Sequence, residues 1–311
     1  MTDYSTSIVA PLARWAWRLA LFSMCLLLAG LALHRLANFP TTAAINLFAV
    51  GYAGAGLAML VGLVALARIW RTGFGGAGLA TLAILLPLAA LAGPLFYLTA
   101  YHNLPHINDV TTDLSSPPSF VALAKRSEGA NSSAYPGQQF SELQVMAYPD
   151  LRTIVLDRPV EEAFELVEET VRKLRWRVAA AEPPTGRPTK TGTLEATDQT
   201  LLVGFTDDIV VRVDGGPART RVDVRSASRY GRFDFGQNAA RVRRFIAELR
   251  ARAEATGGPG LTGRRVLSSA RARALLKRQK DGDPQQAANR NVRGPAPSNA
   301  QRAPAQKERQ R

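Results

Sequence analysis

The residues best equipped for chemistry in this 311-residue chain lie in VDVRSASRYGR, residues 222–232, and just beyond it. Val222 and Val224 alternate with Asp223 and Arg225 as in a half-buried strand, and the run then turns polar while keeping extended spacing. Arginines recur at 225, 229, 232 and 241, with Asp234 the one acid between the first and the last. Guanidinium forks suit phosphate or carboxylate. Gly231 and Gly236 permit tight turns, and a helix starting near Asn238 would aim unpaired N–H groups at whatever precedes it. Arg225, Arg229, Arg232, Arg241 and Asn238 are therefore read as an anion-binding set, supported by Asp208, Asp223, Ser226, Ser228 and Asp234. The competing reading is structural. Asp208 and Arg212 on one strand face Arg221, Asp223 and Arg225 on the next, and opposite charges paired across strands contribute about 0.2–1 kcal/mol each.

Catalysis finds less support. Ser226 and Ser228 are hydroxyls in a strand, but the only histidines after the apolar first third, His102 and His106, fall in a stretch read as a linker. Asp207 and Asp208 are neighbours, so on a strand they point to opposite faces and cannot act as a carboxylate pair. Asp109, Asp113, Asp207, Asp208 and Asp234 offer oxygen ligands without the spacing of a metal loop. No cofactor or metal site is expected. The rival reading is a hydrolase or metal-dependent enzyme built from Asp207, Asp208, Asp234 and the linker histidines.

The elements that must position these residues read as strand, helix, meandering strands, helix. Residues 152–156 form a short strand, after which Asp157 and Pro159 start a helix whose Val160, Phe164, Val167 and Val171 repeat at helical spacing. Strands follow over 176–181, 193–198, 201–206, 208–214 and 219–229, and a last helix begins near Asn238 with Val242, Phe245, Ile246 and Leu249 on its apolar side. Consecutive strands with short turns pair antiparallel, and two one-striped helices cover one face. The fold class is α+β over 148–256, helix-grip-like in shape.

Ahead of it, residues 1–100 are apolar. Thirty-two residues between Arg35 and Arg68, and 37 between Arg71 and Asp109, carry no formal charge, against the roughly 20 that a span needs. Three transmembrane helices are read near 15–36, 44–67 and 77–99, with 101–147 a linker. Gly54, Ala58 and Gly62 form a small-residue stripe suited to helix–helix association, including self-association. Arg14, Arg18, Arg68 and Arg71 place the N-terminus in the cytoplasm and everything after about residue 100 outside, which in a cell with two membranes is the periplasm and makes the bilayer the inner membrane. The single cysteine, Cys25, lies in the first span and leaves the exported domain without a thiol to mispair.

The net charge of +14 is concentrated at the C-terminus: 257–311 holds 13 Lys or Arg against Asp281, Asp283 and Glu308. Its Pro, Gly, Gln and Asn content reads as a disordered basic tail, with a short helix at most near 264–278. Such a tail would suit nucleic acid in the cytoplasm, but the expected topology argues against that partner.

HINDVTTD and PPSF downstream of membrane spans, then FTDDIVVRV and VDVRSASRYGRFDFGQNAARV, resemble the bacterial and plastid family known as domain of unknown function 1499. The resemblance covers about residues 105–250 and implies no activity, because that family is uncharacterised. The reading is thus a membrane-anchored envelope protein whose exported domain binds an anionic lipid headgroup, an envelope polymer or an acidic protein partner, or serves as a scaffold.

Overall fold

Small residues set how the first three helices meet. The computed structural model describes residues 9–37, 39–185 and 190–257. Helices α1 (Pro11–Leu36), α2 (Thr41–Thr72) and α3 (Ala77–Asn103) pack as a bundle, and each contains a stretch long and apolar enough to cross a membrane. Pro11 opens α1 where its missing N–H has no intrahelical use, and Gly73, at φ +71°, closes α2 in a left-handed turn. Ala16 and Ala20 of α1 and Ala83 of α3 bury against Ala58 of α2. A Cβ at Gly62 would lie 2.9 Å from Ile84 Cγ1 and 3.2 Å from the Ala80 carbonyl oxygen; one at Gly54 would lie 2.5 Å from Ser23 Oγ. The Gly54, Ala58 and Gly62 stripe is therefore occupied inside one chain, where close helix approach needs it, and is not left open for a second copy.

The α+β region is one antiparallel sheet in the order β1 (Asp109–Thr111), β6 (Thr220–Ser228), β5 (Thr206–Gly215), β4 (Lys190–Gln199), β3 (Arg177–Thr185). Strand β2 (Ile154–Leu156) also pairs with β6, so β1 at Thr111↔Arg225 and β2 at Ile154↔Val222 lie end to end along one edge. Helices α5 (Val160–Lys173) and α6 (Gln237–Thr256) cover one face. Glu161 and Glu162 in the first turn of α5 complement its dipole, and its apolar stripe meets Leu194, Val211 and Val213. Trp176 stacks on Phe245 of α6 with ring centroids 5.7 Å apart. The chain up to Ala253 forms one compact unit; a second begins at Glu254, where the Gly257 N–H donates to the Glu254 carbonyl and the described chain ends. The basic tail of 257–311 and its short helix near 264–278 lie outside the described residues, Gly257 excepted.

Two stretches differ from the sequence reading. Of residues 201–206, expected as a strand, 201–205 form the turn of the β4–β5 hairpin and only Thr206 belongs to a strand, as the first residue of β5; in the turn Gly204 sits at φ +81° and the Phe205 N–H reaches Thr200 Oγ1 at 2.9 Å. Residues 101–147, expected as a linker, supply the end of α3, then β1, then α4 (Gln138–Ala147). Between β1 and α4 the chain lies over the second face of the sheet, with Phe120 packed on Val210 and Ala227. There Glu195 accepts the backbone N–H groups of Val121, Ala122 and Leu123 at 2.7–3.0 Å. Both faces are thus covered, one by helices and the other by extended chain.

Gly62→Leu should lower the unfolding midpoint of the detergent-solubilised protein by the equivalent of about 1–3 kcal/mol, as overpacking does. Gly56→Leu, where nothing lies within 4 Å of an added Cβ, should leave it unchanged.

Candidate functional site

Alternation along β5 sends Asp207 and Asp208 to opposite faces, and each meets arginine there. On the face under residues 112–136, Arg225 is 1% exposed and forks onto Asp109, with Nε to Oδ1 at 2.9 Å and Nη2 to Oδ2 at 2.7 Å. Its remaining donors reach the Pro118 carbonyl at 3.0 Å and the Ser133 carbonyl at 2.9 Å, and the guanidinium lies over the Phe120 and Tyr135 rings. Burial pushes the Asp109 carboxyl above its ordinary range, with Arg225 opposing. Beside it, Asp208 takes Arg229 at 2.7 Å and Arg126 at 3.0 Å. Further along, Arg212 joins Asp113 and Asp223, and the hydroxyls of Thr112 and Thr153 donate to Asp223.

On the helix face Asn238 is the hub. Its Oδ1 accepts from Ser226 Oγ at 2.8 Å and Arg241 Nη1 at 2.7 Å; its Nδ2 donates to Ser228 Oγ and to the Asn108 carbonyl, both at 3.0 Å. Arg241 also binds Asp207 at 2.7 Å and Asp198 at 2.8 Å. The start of α6 is filled by the chain itself, since Asp234 accepts the N–H groups of Gly236 and Asn238 at 2.8 Å. Burial raises Asp234 to about 6, and Asp207 adds to the rise while those two N–H groups and Arg241 oppose it.

A cavity of about 720 Å³ lies where α3 gives way to β1. Tyr101, His106 and Phe233 form an aromatic wall, with centroids 4.4 Å apart for Tyr101 and His106 and 4.9 Å for His106 and Phe233. Arg126, Asn131 and Arg232 supply polar lining. The Arg126 side chain is 5% exposed; its Nη1 donates to the Asn131 and Ser132 carbonyls, while its Nη2 has no hydrogen-bond partner among the described residues. Arg232 is exposed and, among the described residues, has no carboxylate partner. Asn131 ties the lining to the end of β6 through the Gly231 and Ser228 carbonyls at 2.7 and 3.0 Å.

Residues 109–249 match the family described as Protein of unknown function (DUF1499). The match opens at β1 and closes within α6, so it takes in the sheet, its helices and the 112–136 cover, and leaves out α1–α3. Comparison with curated proteins and with solved structures gives no match.

Within the matched region the structure brings Ser226, Ser228, Asn238 and Arg241 together on one face and Asp208, Asp223, Arg225 and Arg229 on the other, and sets Arg232 apart from both. Asp198, Arg126 and Asn131 complete the clusters and were missed, and Asp109 was weighed only as an oxygen ligand for a metal; Asp109, Arg126 and Asn131 lie in the stretch that reads as a linker. A usable signal is the β-branched run Ile107–Thr112, which is strand-like around its one carboxylate. His106 bonds the Tyr101 carbonyl through Nε2, not Ser226 or Ser228, so the serine–histidine arrangement is not made. No group of three His, Cys, Asp or Glu suited to a metal occurs among the described residues.

Asp109→Ala leaves Arg225 charged and buried, and should destabilise the protein by about 3–5 kcal/mol in urea unfolding monitored by near-UV circular dichroism. Asp109→Leu with Arg225→Met, which removes both charges, should cost less. The titration of Asp234 has a definite sign: its folded pKa of about 6 exceeds the unfolded value near 3.8, so the folded state binds the proton more tightly. Its contribution is fully present below about pH 3.8 and is lost as the pH rises through about 6. Asp234→Asn should flatten the pH dependence of the urea midpoint in that window.

Proposed function

We propose that α1–α3 hold this protein in the inner membrane with its N-terminus cytoplasmic, and that its α+β region stands in the periplasm and binds an anionic ligand in the cavity beside α3. The observation that carries this reading is Arg232, a cation without a carboxylate partner among the described residues, in a cavity lining it shares with the buried Arg126 side chain. Arg225, Arg229 and Arg241 are neutralised by the chain's own acids, so they support the lining and do not themselves receive the ligand. Phosphate or carboxylate fits such a fork. Position favours a lipid headgroup over an envelope polymer or a protein partner. Tyr101 follows the last leucine of α3, Leu98, by about 4.5 Å of helix rise, within the headgroup layer of about 5–7 Å on each side of the hydrocarbon. Binding is also favoured over catalysis, because Asp207, Asp208 and Asp234 are each engaged within the fold.

Dihexanoyl phosphatidic acid, offered in excess to the full-length protein in neutral-lipid nanodiscs, should raise the thermal midpoint, by the equivalent of about 2.7 kcal/mol at a hundredfold excess over the dissociation constant. Arg232→Ala, an exposed position, should stay folded and lose the effect. A parent protein indifferent to this lipid, to inorganic phosphate and to acidic peptides would remove the anion reading. Orientation is tested separately: a reporter active only outside the cytoplasm should work when fused after Gly137 and fail when fused after Thr72.

A further inference from the structure

The β4–β5 hairpin ends in Thr200-Leu201-Leu202-Val203-Gly204-Phe205, which contains no charge. Leu201 and Leu202 are 86% and 74% exposed, and no core residue of the α+β region covers them. The tip is not free to choose its surroundings, because it is fastened to the end of the first apolar helix. His34 of α1 bonds the Val203 carbonyl through Nδ1 at 2.8 Å and Thr41 Oγ1, at the start of α2, through Nε2 at 3.0 Å. The same imidazole meets the Phe205 ring edge-on at 5.4 Å, and Arg35 reaches Gln199 at the hairpin base. A Cβ on Gly204 would lie 2.9 Å from the Arg35 guanidinium, so the turn sits directly against the last residues of α1. Its backbone is largely self-satisfied: the Thr200 N–H donates to the Phe205 carbonyl, the Gly204 N–H to the Thr200 carbonyl, and the Phe205 N–H to Thr200 Oγ1. Two apolar side chains on a neutral turn with paired backbone groups, held level with the end of a span, match the boundary between acyl chains and headgroups.

We propose that the β4–β5 hairpin tip is a second membrane anchor, with Leu201 and Leu202 inserted into the same leaflet that receives the end of α1. The occupant of this apolar surface is the bilayer itself, continuous with the lipid around α1–α3. The inference uses the spanning role of those helices but is independent of any ligand in the cavity. With the α3 connection and the hairpin both fixed against the membrane, the sheet and its helices cannot rotate about the connection.

The test uses the full-length protein with Cys25→Ala, in nanodiscs, carrying one cysteine labelled with a polarity-sensitive fluorophore. Leu57→Cys, on an exposed side of α2, reports whether the bundle is in lipid; Ala218→Cys, in the β5–β6 turn about 30 Å from the hairpin tip along β5, reports the water-facing end. Lipids brominated near the top of the acyl chain should quench most of the emission at Leu202→Cys and little at Ala218→Cys, and aqueous iodide should do the reverse. Lipid quenching at Leu57→Cys with iodide quenching at Leu202→Cys would overturn the anchor while leaving the spans intact. Failure of lipid quenching at Leu57→Cys would overturn both. The first of these results leaves the Arg232 reading untouched, whereas the second also removes the positional argument for a lipid headgroup in the cavity.

Discussion

A guanidinium sealed from water decides how the α+β region is assembled. Arg225 sits mid-strand on β6, and an unpaired charge there would cost several kcal/mol, so every group that neutralises it becomes obligatory. Asp109 answers the charge and thereby fixes β1, the first strand after α3, against β6. The Pro118 and Ser133 carbonyls answer the outer donors and thereby fix both ends of the covering segment. Breaking any of these contacts exposes the others, which is why a stretch with few apolar residues can hold a defined path. A buried ion pair contributes little net stability compared with a hydrophobic replacement. What it supplies here is selection: only one register of β1 brings Asp109 opposite Ala227 and within reach of Arg225.

The two faces of the sheet solve different problems with the same strand. Valines at 222 and 224 continue the helix-covered core, and Ser226 and Ser228 extend that row into a hydrogen-bonded cluster around Asn238. Asp234 then occupies the position at the start of α6 where an external anion would bind. Carboxylates supplied by the fold have taken the places that arginines and a helix terminus would otherwise offer to a ligand. Arg232 escapes because it follows the strand, beyond the reach of either cluster, and faces the cavity instead.

Legibility in the sequence followed the range of the interaction. The apolar runs of α1–α3 and the stripes of α5 and α6 depend on residues within a few turns of one another, and the periodicity places them close to where they lie. The 112–136 segment resisted because its cues are Pro, Ser and Gly, which mark loops, while its partner is a polar sheet face that looks built for water. Weighing Arg225 and Arg241 against nearby acids in the sequence pointed to uncompensated charge. Arg225 finds its carboxylate in Asp109, 116 residues away, and Arg241 finds its own in Asp207 and Asp198, 34 and 43 residues away, and no local pattern reveals them. Residues 201–206 are a short apolar run of the kind that forms a strand, yet Gly204 in a left-handed conformation turns the chain there.

The polar end of VDVRSASRYGR lies where the sheet meets the bundle. The last residues of β6 run beside Asn108 and the 231–235 turn, whose Phe233 packs on Tyr101 of α3 and on His106. The β4–β5 hairpin leaves the same end of the sheet, since Asp207 pairs with Ser228, and reaches His34 of α1. An end that must adjoin both a helix bundle and water cannot be closed by an apolar core, because some of it stays hydrated. It can be closed by charges that satisfy one another. Arginine, serine and asparagine at the end of a strand are what such a junction requires, and a cavity lined by an arginine with no carboxylate partner among the described residues is what remains where the pairing stops.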